Sequence, residues 1–403
     1  MKRAAPALEA ALARLEAAQL RRARVTVEHR ASAARTVTLG DGRELVDFSS
    51  NDYLGLACHP ALARAMSACA AAAGAGSGAS HLVTGHGVEH ERLEEELAEF
   101  THRERALLFS TGYMANLAVM TALAGRGERA LLDRLCHASL IDGARLSGAT
   151  LARYRHADAA EAARLLEAEP GRTALLATDG VFSMDGDLAP LPALARCAST
   201  HDLWLVVDDA HGLGVIGASG GGVLEHYGLG SEAVPVLVGT LGKAFGSFGA
   251  FVAGSATLID FLIQKGRSYV YTTALPQPVA AATRAALALI RQGSEQRERL
   301  AALIARFRAA AHAAEVPLAA SMTPIQPVLL GSAAAALAAQ RQLAAAGSWV
   351  VAIRPPSVPP GSARLRVTLS AAHTESQVDA LAEQLASACR VARQTAQRGA
   401  VEA

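Results

Sequence analysis

The sequence predicts an α/β protein, with a mostly parallel, doubly wound sheet in a large domain and a smaller C-terminal α/β domain. Short apolar runs at 106–109, 130–133, 174–178, 203–208, 236–240 and 249–253 fill the middle of the chain. Helix-length segments such as 116–123, 159–167 and 191–200 separate most of them. Continuous apolar strands between helices mean a sheet buried on both faces. Beyond Pro276 and Pro278 the composition turns to Ala-rich helical sequence, and β-prone runs return at 327–330, 349–353 and 364–369. The expected parts are an N-terminal helix and hairpin arm (1–46), a large domain (47–289) and a small C-terminal domain (290–403).

Taken in order, residues 6–24 show Leu8, Leu12, Leu15 and Leu20 near helical spacing among Glu and Arg, which predicts an amphipathic helix ending in Arg21, Arg22 and Arg24. Residues 37–48 place two β-prone runs around Gly40-Asp41-Gly42, a hairpin pattern. Residues 50–56 read as an irregular loop, and 61–73 as an Ala-rich helix that breaks at Gly74, Gly76 and Gly78. Another amphipathic helix carries Leu93, Leu97 and Phe100 before the α/β rhythm begins. The late helices fall at 279–291, 295–314 and 375–393.

Composition narrows the function. The chain has 403 residues, with 38 Lys and Arg against 37 Asp and Glu, for a formal charge of +1. That balance argues against nucleic acid and membrane surfaces as partners. Cys58, Cys69, Cys136, Cys197 and Cys389 are scattered, with no C-x-x-C. The pattern fits a reducing compartment without disulfides or a zinc knuckle. No stretch is apolar for long enough to span a bilayer. A soluble, cytoplasmic protein is expected.

Ligands of doubly wound sheets sit outside the carboxyl ends of the strands, and polar residues gather there. Ser110-Thr111-Gly112-Tyr113 follows one run. Asp133 leads to His137, Asp179 to Ser183, Asp208 to His211, and Thr240 to Lys243. Lys243 lies in a Gly-rich turn, and Asp208 and His211 are three apart. A lysine that can form a Schiff base and a carboxylate for a pyridinium nitrogen are what a protein offers pyridoxal phosphate (PLP). Under that reading Lys243 is the reactive amine and Asp208 keeps the ring nitrogen protonated. His211 bonds the phenolic oxygen and His137 stacks on the ring. Gly112 and Tyr113 open a helix toward the phosphate, with Thr240 as a hydroxyl donor.

Competing motifs are weaker. Gly212-x-Gly214-x-x-Gly217 follows a strand only after Asp208–His211 intervenes, and no helix follows at once, so a dinucleotide site is not expected. The turn at Lys243 lacks the first glycine of a P-loop and has Ala244 where a magnesium-binding hydroxyl belongs. His86 and His90 are four apart, but glycines flank His86 and no H-E-x-x-H is present. No metal is expected.

Longer stretches resemble the 8-amino-7-oxononanoate synthase family of PLP-dependent α-oxoamine synthases over about residues 8–385. They are Ser49-Ser50-Asn51-Asp52-Tyr53-Leu54-Gly55-Leu56, Asp133-Arg134-Leu135-Cys136-His137-Ala138-Ser139-Leu140, Gly180-Val181-Phe182-Ser183-Met184-Asp185-Gly186-Asp187, Val207-Asp208-Asp209-Ala210-His211-Gly212 and Ala352-Ile353-Arg354-Pro355-Pro356. The resemblance implies PLP fold type I and a homodimer with its sites at the subunit interface. It implies a catalytic set of Lys243, His137, Asp208 and His211. Gly112, Tyr113, Ser183 and Thr240 join them in holding the cofactor, as does Thr273 of the partner subunit. Arg354 and Asn51 would hold the amino-acid carboxylate, with Arg21, His137 and Ser357 against substrate. Ser357 stands where threonine is usual, and Asp179 where many oxononanoate synthases have Glu. The implied reaction joins L-alanine to pimeloyl-CoA or pimeloyl acyl carrier protein, giving 8-amino-7-oxononanoate, CO2 and free thiol in biotin biosynthesis. A sister transferase such as glycine C-acetyltransferase is the alternative, and a non-catalytic PLP-binding module the remote one. The Asp209-Ala210-His211-Gly212 and Ser50-Asn51-Asp52 forms favour the oxononanoate enzyme over its sister.

Overall fold

A computed structural model describes residues 4–31 and 35–401. Residues 1–3 and 32–34, within the expected arm, and residues 402–403 lie outside the described residues. The chain divides into two compact units. One comprises the described residues of Met1–Ser50, Met184–Gly186 and Arg299–Ala403; the other comprises Asn51–Ser183 and Asp187–Glu298.

The first unit opens with a helix over Ala4–Ala17, shorter than the expected 6–24. It stops because Gln19 adopts a positive φ of 56°, which breaks the helical path. Leu8, Leu12 and Leu15 are exposed on it. Strands β1 (Val27–Ala31), β2 (Thr36–Leu39) and β3 (Glu44–Asp47) follow. The expected hairpin is β2–β3, closed by Gly42 at φ 83°. β1 escaped the sequence reading because Glu28, His29 and Arg30 fill its middle and its side chains mostly face solvent, so it shows no apolar pattern.

The second unit holds the large sheet. Its strands are β4 (Arg105–Phe109), β5 (Arg129–Asp133), β6 (Thr150–Tyr154), β7 (Thr173–Asp179), β8 (Trp204–Asp208), β9 (Val236–Thr240) and β10 (Ala250–Gly254). Their order is β4-β10-β9-β8-β7-β5-β6, and only β10 runs antiparallel to its neighbours. The six expected runs are all strands. β6 was missed because it is an edge strand whose Thr150 and Arg153 face solvent, so it shows no continuous apolar run. Helices over Gly112–Leu123, Ala138–Ser147 and Ala256–Lys265 pack on this sheet with Leu107, Phe109, Leu132, Val206, Val236, Val238 and Val252. Full burial of each such side chain contributes about 1.5–3 kcal/mol.

Within the first unit the chain then forms β11 (Ile325–Gly331), β12 (Ser348–Trp349), β13 (Val351–Ile353) and β14 (Ala363–Thr368). β12 adds to β3 in parallel, while β11, β14 and β13 make a separate antiparallel sheet. The single run expected at 349–353 is therefore two short strands in different sheets. Among the described residues no helix is long and apolar enough to cross a membrane.

Candidate active site

The parallel strands end together, and their last residues are polar. Asp179 pairs in register with Asp208, and Asp208 with Val238, so β7, β8 and β9 finish on one edge. β4 reaches the same edge, because Ala250 lies between Phe109 and Thr240.

Asp208 is buried, and its carboxylate is anchored from two directions. Asn116 Nδ2 donates to Oδ2 at 2.6 Å and the Ala210 amide to Oδ1 at 3.1 Å. Asn116 is fully buried on the apolar helix Gly112–Leu123, and its Nδ2 also donates to Ser139 Oγ at 2.8 Å. Since Ser139 Oγ accepts there, its own hydrogen goes to His137 Nδ1, 2.7 Å away. That assignment leaves the hydrogen of neutral His137 on Nε2. Burial lowers the His137 pKa and the Lys243 charge adds to that, against the opposing pull of Asp208. The His137 amide donates to Asp179 Oδ1 at 3.0 Å. Burial pushes the Asp179 carboxyl well above the usual range, and neighbouring Asp208 pushes the same way.

Lys243 stands in the loop between β9 and β10. The loop is tied by its own backbone: Leu241 N–H donates to Gly249 O, Gly246 N–H to Lys243 O, and Ser247 N–H to Leu241 O, at 2.8–2.9 Å. Gly246 has φ 63°, and a β-carbon there would lie 2.4 Å from the Ala57 amide nitrogen. Only glycine fits. Lys243 Nζ is 2.9 Å from His211 Nε2, and His211 Nδ1 is 2.6 Å from the Tyr53 hydroxyl.

The remaining predicted residues fall as follows. Gly112 opens its helix with open space where a β-carbon would point, and Thr111 caps that helix by accepting from Met114 N. Tyr113 is exposed and donates its hydroxyl to Asp142 at 2.6 Å. Thr240 Oγ1 donates to Gly249 O at 3.2 Å. Ser183 is half-buried in the turn after β7, and Thr273 is exposed, just beyond the short helix Arg267–Val270. Asn116, Ser139 and Tyr53 carry the geometry although the sequence reading assigned them no role. A lone amide inside the apolar run Gly112–Leu123 was the available signal.

The glycines of the literal G-x-G-x-x-G have a packing reason. A β-carbon at Gly212 would meet Asp209 Oδ1 at 2.1 Å, and one at Gly214 would meet Ala244 Cβ at 2.8 Å. Among the histidines, His81 joins His86 and His90, a group that the sequence reading saw only as a pair. Their nitrogens are largely engaged. His81 Nδ1 faces His86 Nδ1 at 2.9 Å, and His86 Nε2 faces Glu91 at 3.0 Å. His90 Nδ1 accepts from Gly87 N–H, while its Nε2 donates to Leu275 O.

In the other unit, a cleft of about 670 Å³ is lined by Glu16, Gln19, Arg21, Arg22, Arg354 and Ser357, among others. Arg354 donates to the carbonyls of Gln19 and Arg21. Arg22 donates to Ser357 Oγ at 3.0 Å, whereas Arg21 pairs with Glu16 at 3.3 Å. Arg22, which the sequence reading named only as part of the Arg21–Arg24 cluster, is thus the residue that holds Ser357.

Comparison with known proteins places this arrangement. The family Aminotransferase class I and II matches residues 43–385. The 8-amino-7-oxononanoate synthase of Methylococcus capsulatus is 59% identical over 378 residues, covering 94% of this chain and 97% of its own. The chain belongs to that family. Among solved structures, the 8-amino-7-oxononanoate synthase of Francisella tularensis superposes on this family member with a TM-score of 0.75 at 31% identity, over 85% of this chain and 97% of its own. A serine palmitoyltransferase from S. paucimobilis with bound PLP–myriocin aldimine gives a TM-score of 0.90 at 29% identity, over 96% and 97% of the two chains. The resemblance read from the motifs and the fold type I architecture are both borne out.

Proposed function

We propose that the protein is an 8-amino-7-oxononanoate synthase, a PLP-dependent acyltransferase of biotin biosynthesis. It joins L-alanine to a pimeloyl thioester, carried on CoA or acyl carrier protein, and releases CO2 and the free thiol. The observation that carries this reading is 59% identity to a named synthase across 94% of the chain. The residues on the sheet edge fit PLP. Asp208 is a carboxylate fixed by Asn116, Lys243 offers an amine beside an imidazole, and a β-carbon at Gly112, where a helix begins, would meet nothing within 4 Å. Asn116 Oδ1, buried without a hydrogen-bond partner in the structure, marks a polar environment that the protein atoms leave incomplete.

When bound, PLP supplies a ring that accepts the electron pair left at an amino acid's Cα. Lys243 would hold it through Nζ, Asp208 would keep its ring nitrogen protonated, His211 would donate to its phenolate oxygen and neutral His137 would stack on its ring. Gly112, Tyr113, Ser183 and Thr240 would join them in holding the cofactor, with Thr273 of the partner subunit in a homodimer. Lys243 Nζ would take the Cα proton of alanine and, after CO2 has left, return a proton to that carbon. Arg354 binds the alanine carboxylate through charge-assisted hydrogen bonds, supported by Asn51. Ser357 and Arg21 contact substrate. Free cysteines fit a cytoplasmic protein.

The test pairs alanine with pimeloyl-CoA against glycine with acetyl-CoA and follows thiol release. Faster turnover of the first pair is expected. Faster turnover of the second would move the assignment to the sister glycine acetyltransferase.

A further inference from the structure

Behind Lys243 lies a line of hydrogen bonds that leads away from the reacting atoms. Nζ meets His211 Nε2 at 2.9 Å, His211 Nδ1 meets Tyr53 Oη at 2.6 Å, and Tyr53 Oη meets Asn51 Oδ1 at 3.3 Å. Tyr53 is fully buried and His211 nearly so. The direction of this line follows from its ends. An ammonium has only hydrogens to offer, so His211 Nε2 accepts and the hydrogen of neutral His211 sits on Nδ1. That hydrogen goes to Tyr53 Oη, and the tyrosine's own hydrogen goes to the Asn51 carbonyl.

A phenolate oxygen facing Nε2 can only accept, so it requires the opposite polarity. Nε2 must then carry the hydrogen and Nδ1 must accept. A hydroxyl can meet both demands by rotating, since it is donor and acceptor at once. We propose that Tyr53 is a positioning residue whose hydroxyl serves both tautomers of His211: Nδ1–H while Lys243 Nζ faces the ring, Nε2–H when the cofactor's oxygen does. The switch exchanges one proton for another with water, lost at Nδ1 and gained at Nε2, so the charge is unchanged. This inference rests on the reading that His211 faces the cofactor.

The experiment uses protein labelled with 15N-histidine, with the His211 resonances identified by their loss in His211→Gln. Spectra are compared before and after PLP alone is added, in wild type and in Tyr53→Phe. In wild type the protonated nitrogen is expected to change from Nδ1 to Nε2. In Tyr53→Phe the change is absent or incomplete, and the pH midpoint of the bound cofactor's absorbance moves by about one unit. The kcat of the variant falls about tenfold, with the KM for alanine within about twofold. An unchanged tautomer switch and absorbance midpoint in Tyr53→Phe would overturn the proposal. So would a wild-type ring that keeps one tautomer throughout, a result that needs no variant to fold. Failure of PLP to bind at all would instead strike the proposed function, and the cofactor-free tautomer would still be read.

Discussion

Lys243 sits in a hydrogen-bonded loop between two paired strands, with His211 and Asp208 buried around it. Arg354 rests instead on the carbonyls of Gln19 and Arg21, in an irregular stretch between a helix and β1. The first cation is held by the end of a sheet and the second by an arm. A sheet edge fixes its residues through many shared backbone bonds, so chemistry that needs fixed distances belongs there. An arm of exposed arginines offers charge without such fixed positions, which suits binding a substrate's carboxylate. The contrast predicts that damage at the sheet edge falls on kcat and damage at the arm on KM.

The largest effect is expected for Lys243→Ala, a loss of about 10³-fold or more in kcat, because under the proposed reaction its amine both holds the cofactor and moves the Cα proton. Full activity in this variant would end the assignment. Arg354→Ala should raise the KM for alanine by about 10–100-fold with a smaller change in kcat, as befits a lost charge-assisted hydrogen bond. A kcat loss at constant KM would collapse the distinction between the two regions. Asn116→Ala, which leaves Asp208 Oδ2 without its amide, should cost about tenfold in kcat and weaken PLP retention, read by dialysis and absorbance. At the arm, Arg22→Ala should raise the KM by about threefold, because its hydroxyl partner Ser357 stays in place. Arg21→Ala should do less, since its ion pair is with Glu16, an exposed glutamate.

One further test concerns stability. His156 bridges Asp133 Oδ1 at 3.1 Å and Asp187 Oδ2 at 2.8 Å, at the end of β5 and in the turn after β7. Burial opposes its charge, but hydrogen bonds and the charges of both carboxylates outweigh that and raise its pKa to about 10. A raised pKa means that the folded protein favours the protonated ring. The stabilisation is complete below about pH 6.5, the ordinary histidine value, and is lost as pH rises through about 10. The midpoint of urea unfolding should fall across that window in wild type and lose this component in His156→Gln.

The sheet was legible because strands buried on both faces are unbroken apolar runs. β6 and β1 were not, since edge strands keep polar side chains toward water. The polar strand ends were legible for the same reason as the strands: an acid or a hydroxyl closing an apolar run has few structural excuses. Asn116, Ser139 and Tyr53 lie inside helices or loops where sequence shows no such contrast, and their roles appear only when three segments meet. The first helix was misread in length because leucine spacing continues to Leu20, while the left-handed turn at Gln19 leaves no mark in composition.

The loop that carries Lys243 has a consequence for how its amine travels. Glycines around a Schiff-base lysine suggest a backbone that swings, yet Leu241, Gly246 and Ser247 all spend their amides inside the loop. Gly246 is there because Leu56 and Ala57 press against it. The amides of Leu241, Gly246 and Ser247 should therefore exchange their hydrogens nearly as slowly as those of the strands on either side. The reach of Nζ then comes from the rotamers of four methylene groups, turning on a fixed hinge over nanoseconds.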